Sequence, residues 1–285
     1  MQHSTLYTIG FAGAVCLFCA VFVSGSAVSL KDRQEENKVL DRQKKVLVVA
    51  GLMAEGASWP PAQIKSTFSD NIKAQVVTLK TGEYNTTIDV TTFDQLKSSK
   101  DPAQSDVAKD NPAKVGRLPH NAMVYQVIEN NTVSRLILPV EGKGLWSTLY
   151  GFIALEKDVN TIAGLTFYQH GETPGLGGEV DNPKWKGLWK GRKAFDSNQN
   201  PAIEVLKGQA GSVTDAPHHV DGLSGATITS RGVTYLVQFW LGEDGFGPYL
   251  KKFRAPKQRE APARQQAPAP APTQQEAPKQ EVNHE

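Results

Sequence analysis

From Tyr7 to Leu30 the chain carries no charged side chain, and no other stretch limits its fold so tightly. Ile9, Phe11, Val15, Leu17, Phe18, Val21, Phe22 and Val23 fill the segment. As a helix it rises about 1.5 Å per residue, enough to cross a hydrocarbon core about 30 Å thick. A cleaved signal peptide is the rival reading, and Ser24-Gly25-Ser26-Ala27 is similar to a cleavage site. Against it, no Lys or Arg precedes the run, and the run exceeds a usual signal h-region. The expectation is a retained transmembrane helix over residues 1–30. Both cysteines, Cys16 and Cys19, lie inside it. They read as small apolar fillers, and the rest of the chain has no disulfide framework or thiolate metal site.

Charges crowd Lys31 to Lys45, with Leu40, Val46, Leu47 and Val49 on an apolar side. This predicts a helical stalk over 31–57. The positive residues follow the span, so positive-inside counting puts the bulk of the chain in the cytoplasm. Trp59-Pro60-Pro61 opens a second helix, with Ser58 as its cap and Ile64, Phe68 and Ile72 on one face. Residues 97–115 are polar and read as an exposed loop. Met123–Ile128 and Val133–Leu138 are strand-like runs joined by Glu129-Asn130-Asn131-Thr132, a hairpin signal. Leu149–Leu155 and Thr161–Gln169 add two more strands. The expected class is α+β, an antiparallel-rich sheet with flanking helices behind one N-terminal transmembrane helix. The domain spans 58–254. Residues 255–285 are rich in Pro, Ala and Gln and read as a disordered tail. Net charge is only +2, which gives no bulk electrostatic case for nucleic acid.

The stretch richest in chemistry is Asp221-Gly222-Leu223-Ser224-Gly225-Ala226-Thr227-Ile228-Thr229-Ser230. A helical stripe follows at Val233, Leu236, Val237, Trp240 and Leu241. Thr229 or Ser230 is placed to cap that helix. Thr227 then precedes its free N–H donors and positive dipole end, where an anion is stabilised. Gly225 and Ala226 leave the backbone open to a bulky ligand. One reading is a plain cap and turn. A second is a serine nucleophile, since Gly222-Leu-Ser224-Gly-Ala226 approaches G-x-S-x-G with His218 and His219 nearby. Its last residue is Ala, however, and no strand pattern leads into it.

A second informative run is His170-Gly171-Glu172-Thr173-Pro174-Gly175-Leu176-Gly177-Gly178-Glu179, placed after a strand. It fails the dinucleotide fingerprint. His170 and Glu172 with His218 and His219 match no metal-site spacing. Gly142-Lys143-Gly144-Leu145-Trp146 is not a phosphate loop; it reads as a hairpin turn with a core tryptophan or as part of a ligand site. Lys184–Lys193, with Trp185 and Trp189, reads as a solvated face with two half-buried tryptophans. Ile203–Lys207 is a short strand, and Lys207 can neutralise a phosphate.

Asp-Gly-x-Ser-Gly-Ala-Thr is similar to the flavinylation motif of the FMN-binding domain shared by the sodium-translocating NADH:quinone reductase and the Rnf complex. The 170–177 run resembles that family's His-x-Glu-Thr-Pro-Gly-Leu-Gly motif. Lys44–Leu52 resembles the C subunit of the sodium pump more than its Rnf counterpart, and the likeness runs from the anchor to about Phe253. The resemblance implies FMN joined to Thr227 through a phosphoester, within a loop of Asp221, Gly222, Ser224, Gly225, Ala226 and Thr229. It places Trp146, His170, Glu172 and Gly175 beside the flavin, with Thr173 a hydrogen-bond donor and Leu176 an apolar contact to the ring, and the phosphate is what Lys207 would neutralise. It implies an electron relay from NADH towards ubiquinone, with partner subunits and a separate flavin transferase using FAD. It also implies no metal and no catalytic residue in this chain. NADH is expected to react on a partner, since no Rossmann fingerprint is present. The implied location is the bacterial inner membrane, single-pass, with the domain on the periplasmic side, against the charge count. An Rnf-type flavoprotein is the near alternative. An anchored serine hydrolase using Ser224 and His218 or His219 is the alternative of another class.

Overall fold

The structure, a computed structural model, describes residues 4–254. The expected tail lies outside the described residues. Helix α1 (Thr5–Val49) is unbroken, so the apolar span and the charged segment after it form one rod about 68 Å long. It is long and apolar enough to cross a membrane. Its N-terminal apolar side chains are largely exposed: Phe18 is 73% exposed and Val28 75%. Only its last turns pack, through Val46, Leu47 and Val49.

Helix α2 (Pro61–Asn71) is preceded by Pro60, not capped by Ser58. Pro61 at the first helical position loses nothing, because its missing N–H would be unpaired there anyway. Ile72, expected on the helix, instead opens strand β1 (Ile72–Thr78), which pairs with β2 (Glu83–Tyr84). The expected loop at 97–115 holds helix α3 (Gln95–Lys100) and strand β3 (Ser105–Val107), paired to β4 (Arg117–Pro119). Asp94 caps α3 by accepting from the N–H groups of Leu96 and Lys97. Ala113 and Val115 are buried. These elements are too short for periodicity to reveal.

Strands β5 (Asn121–Glu129), β6 (Thr132–Lys143), β7 (Thr148–Glu156) and β8 (Ile162–Gln169) complete an antiparallel sheet of order β2-β1-β5-β6-β7-β8. The β5–β6 turn places Asn130 and Asn131 at φ 50° and 58°. Two left-handed residues are what a two-residue hairpin with right-twisted strands requires. Then come α4 (Pro183–Gly187), the parallel pair β9 (Glu204–Val205) and β10 (His219–Val220), α5 (Thr227–Leu241) and α6 (Gly247–Arg254).

Strand alternation divides the core. Leu136, Leu138 and Val140 of β6 join one cluster with Val233, Leu236, Val237 and Trp240 of α5. Ile137, with Phe152 and Ala154 of β7, joins a second cluster with Val46, Leu47 and Val49 of α1 and Ile64 of α2. The sheet is thus covered on both faces, and the end of the apolar rod is one of its covers. Trp185 and Trp189 are 6% and 0% exposed, not half-buried. Both are packed into the α5-side cluster. The buried Lys186 between them pairs with Glu55 at 2.9 Å.

Removing residues 1–30 is expected to move the protein from the membrane pellet to the supernatant, with strand content by circular dichroism unchanged. Retention after a salt wash would show a second attachment. A second expectation concerns Glu141, whose carboxyl is pushed up to about 7 by burial, only partly opposed by Lys100. The folded state favours its protonated form. This contribution to stability is complete below about 4.5 and is lost as pH rises through about 7. Glu141→Gln should therefore hold its urea midpoint between pH 5 and 8 better than the parent. The difference should be on the order of 2 kcal/mol.

Candidate functional site

The three sequence motifs converge at one end of the sheet, on the carboxylate of Glu172. Oε1 accepts from the N–H groups of Trp146 and Ser147 at 3.0 Å each, and from Ser147 Oγ at 3.2 Å. Oε2 accepts from Leu145 N–H at 3.1 Å and from Thr229 Oγ1 at 2.7 Å. The side chain is 5% exposed, so its charge is offset by five donors from two other segments. Burial raises its pKa, but the bonds from Thr229, Ser147, Trp146 and Leu145 outweigh that and leave it below the usual carboxylate value. Gly144 and Gly177 make the close approach possible. A Cβ on Gly144 would lie 2.6 Å from Oε1, and one on Gly177 would lie 2.6 Å from Thr229 Oγ1.

Two turns of similar design then carry side chains outward. Leu176 N–H donates to Thr173 O across Pro174-Gly175, with Gly175 at φ 76°. Ala226 N–H donates to Leu223 O across Ser224-Gly225, with Gly225 at φ 71°. Both put a glycine where a type II turn needs positive φ. The turns touch, since a Cβ on Gly225 would sit 2.9 Å from Leu176 Cδ2.

Helix α5 begins at Thr227, with Ala226 at the cap position and no side-chain cap bond. The expected caps are used elsewhere: Thr229 bonds Glu172, and Ser230 Oγ accepts from Leu223 N–H at 3.0 Å. Thr227 is therefore the first helical residue, not the one before it. It is exposed, and its hydroxyl makes no hydrogen bond among the described residues. The first backbone N–H groups of a helix have no intrahelical acceptor, so Thr227 stands among free donors at the positive dipole end. The loops joined at Glu172 and the start of α5 carry exposed apolar side chains: Leu145 at 42%, Trp146 at 68%, Leu176 at 45% and Ile228 at 55%. Trp146 is not a core residue. Thr227 also lines a cleft of about 170 Å³ with Glu204, Lys207, Arg231 and Tyr235.

Other candidates brace the site from outside it. His170 Nδ1 accepts from Glu172 N–H at 3.2 Å, while Nε2 meets Asp181 at 2.8 Å. Asp221 accepts from Trp185 Nε1 through its carbonyl and from Ala210 N–H through its carboxylate, both at 2.8 Å. Gly222 N–H donates to Gly208 O. Ser224 and Thr173 are exposed. No hydrogen bond joins Ser224 to His218 or His219 among the described residues; His218 instead bonds Lys193 O. Sequence reading did not single out Ile228, Ser147 or Arg231, and had Leu145 only within the Gly142–Trp146 run. Only Arg231 had a usable signal, its helical spacing of four from Thr227.

Residues 144–242 match the family described as FMN-binding domain. The chain is 48% identical over 256 residues to the C subunit of the Na(+)-translocating NADH-quinone reductase of Pseudomonas aeruginosa, covering 89% of this chain and 97% of that one. The chain belongs to the family of Na(+)-translocating NADH-quinone reductase C subunits. It is 45% identical over 251 residues to the Vibrio vulnificus member, covering 87% and 94%. Among solved structures, Shewanella oneidensis NqrC matches with a TM-score of 0.70 at 34% identity, over 79% of this chain and all of that one. The C subunit from Parabacteroides distasonis matches at 0.60 and 28%, over 78% and 96%. In this member of the family the region matched as FMN-binding domain begins at Gly144, inside the hairpin that Glu172 holds.

Glu172→Gln replaces an anion by an amide whose nitrogen cannot accept. At least one buried donor is left unpaired, at a cost of about 2–4 kcal/mol. Because the folded carboxyl sits below its ordinary value, its contribution is present above about 4.5 and lost as pH falls through the folded value. The stability gap between parent and Glu172→Gln in urea titrations should therefore be widest near pH 7 and close in acid.

Proposed function

We propose that the chain is the flavoprotein subunit of a sodium-translocating NADH:ubiquinone reductase, carrying FMN on Thr227 through a phosphoester. The supporting observation is the placement of Thr227. It is an exposed, unbonded hydroxyl in the first turn of a buried helix, between an apolar rim and a basic cleft. A phosphodiester there keeps one negative charge, which the helix N-terminus stabilises.

FMN suits these residues, and when bound it supplies single-electron redox chemistry. The chain's own residues hold and orient it. Leu176, Trp146, Leu145 and Ile228 offer an apolar platform to an aromatic ring. Thr173 presents a hydroxyl at its rim, and Glu172 fixes the loops from beneath. Lys207, in the same cleft as Thr227, would offer a cation to the phosphate. No histidine or carboxylate hydrogen-bonds the Thr227 hydroxyl among the described residues, so deprotonation is assigned to a separate flavin transferase with FAD as donor.

We assign the subunit to the bacterial inner membrane, a reading supported by a helix long and apolar enough to cross a bilayer. We assign the domain to the periplasmic side, since long domains translocate largely regardless of flanking charge. Electrons enter from NADH oxidised on a partner subunit and leave towards ubiquinone. Membership of the sodium-pump family favours this over an Rnf-type flavoprotein. The absence of a Ser224–histidine bond among the described residues gives the hydrolase reading no support.

The test is intact mass of protein co-produced with a flavin transferase. Thr227→Val keeps the β-branched shape, removes the acceptor oxygen, and should lose the FMN adduct completely with the fold intact. Ser224→Ala should keep most of it. Thr229→Val should keep the acceptor but lower stability by about 1–3 kcal/mol, through the lost bond to Glu172. Full adduct in Thr227→Val would sink the assignment.

A further inference from the structure

We propose that the trough between α1 and α3 docks an acidic extramembrane segment of a partner subunit, with one apolar side chain of that segment seated in its floor. The proposal rests on the reading of the chain as a subunit of the complex and is independent of the flavin on Thr227. On the sheet face that α1 packs against, Tyr125, Pro139, Tyr150 and Tyr168 stay half-buried. Helix α3 stands on the far side of them, tied to β5 by Met123 N–H donating to Gln95 Oε1 at 2.9 Å. Between the two helices lies a hollow of about 60 Å³, the size of a side chain and not of a cofactor. Its floor is an aromatic row. Ring centroids are 5.9 Å apart for Tyr125 and Phe152, 5.1 Å for Phe152 and Tyr168, and 6.2 Å for Tyr168 and Tyr150. Glu141 and Tyr150 also line a wider cleft of about 330 Å³, so the hollow continues into a groove past Lys100. A tight aromatic pit within a longer groove is the form that interface anchors fill.

The rim is cationic. Arg42 stands over the Tyr168 ring, its guanidinium carbon 5.4 Å from the centroid. Neither Arg42 nor Lys100 forms an ion pair or a side-chain hydrogen bond among the described residues. The carboxyl in the floor, Glu141, is pushed up to about 7 by burial, so it opposes an incoming acid less than an exposed glutamate does. Asp94, at the edge, already accepts from the N–H groups of Leu96 and Lys97. Charge complementarity therefore selects an acidic segment, and the aromatic floor gives it an apolar anchor. The trough is also turned towards the apolar span. Arg42 meets Tyr168 near the end of β8, whereas Val49, later in α1, lies 3.3 Å from where a Cβ on Gly164 would sit, nearer its start. Glu141 pairs across strands with Tyr150, and Tyr150 with Gln169, at that same end of the sheet. Arg42 is twelve residues beyond Leu30, about 18 Å along the helix axis. That is past a headgroup layer about 5–8 Å deep and level with the extramembrane part of a protein anchored in the same bilayer.

The experiment uses the full-length chain co-produced with the other subunits of its complex and purified through a tag on this chain. Tyr150→p-benzoylphenylalanine puts an aromatic photo-cross-linker in the trough, and the cross-linked peptide is identified by mass spectrometry. It should belong to another subunit and carry Asp or Glu beside an apolar residue. The yield should fall as salt rises. Arg42→Gln with Lys100→Gln should cut it by about three- to ten-fold. Arg42→Lys with Lys100 intact should keep most of it, a rescue that a merely misfolded trough does not give. Reversing the partner's acidic residue to Lys should restore the cross-link to an Arg42→Glu chain. A cross-link to lipid or to a second copy of this chain overturns the proposal. So does a peptide without an acidic residue, a yield indifferent to both salt and the two cations, or no cross-link in a complex that purifies whole. If no other subunit purifies with the chain, the subunit reading itself fails and this proposal falls with it; if they do and the trough stays empty, only this proposal fails.

Discussion

Everything at the functional end of the domain depends on one buried carboxylate. Glu172 collects donors from the β6–β7 turn and from the first turns of α5, across sequence separations of 25 to 57 residues. A buried anion with five donors is costly to disturb, because removing it leaves those donors without their acceptor, the buried Thr229 hydroxyl among them. The arrangement therefore gives three separate segments one geometry. The two glycines beside it exist for space: any side chain at Gly144 or Gly177 would fall on the carboxylate or on its partner hydroxyl.

With the loops fixed from below, their tips are free to face outward. The two type II turns expose Leu176 on one side and Ser224 on the other, and α5 starts directly after the second. The result is a surface with two characters, apolar beyond Leu176 and Trp146 and cationic towards Lys207 and Arg231. An amphipathic ligand with an aromatic head and an anionic end fits that division. The helix N-terminus between them needs no further charged residue to favour an anion.

The sheet transmits this geometry to the anchor. One face carries α5; the other carries the last turns of the apolar rod. The Lys186–Glu55 pair and the bond from Trp185 to Asp221 form a second link, from the end of the rod to the loop that precedes Thr227. The orientation of the site relative to the apolar helix is thus a property of the packed domain and not of a flexible tether.

Sequence alone determined the features that rest on local repetition. The apolar span, the stripe from Val233 to Leu241, the Asn130-Asn131 hairpin and the two glycine-bearing motifs were legible, because composition and spacing set each of them within a few residues. The motif resemblance supplied the family. The use made of each polar side chain was not legible. Thr229 and Ser230 looked like caps but bond Glu172 and Leu223, and Trp146 looked as suited to a core as to a surface. Strand β1 was hidden by its mixed pattern and by Ile72, which also continues a helical spacing. Glu172 as the organiser, Trp185 and Trp189 as core, and Arg231 beside Lys207 were decided only by tertiary structure. Each depends on partners distant in the chain, and hydrogen-bond capacity carries no sequence period that would announce where it is spent.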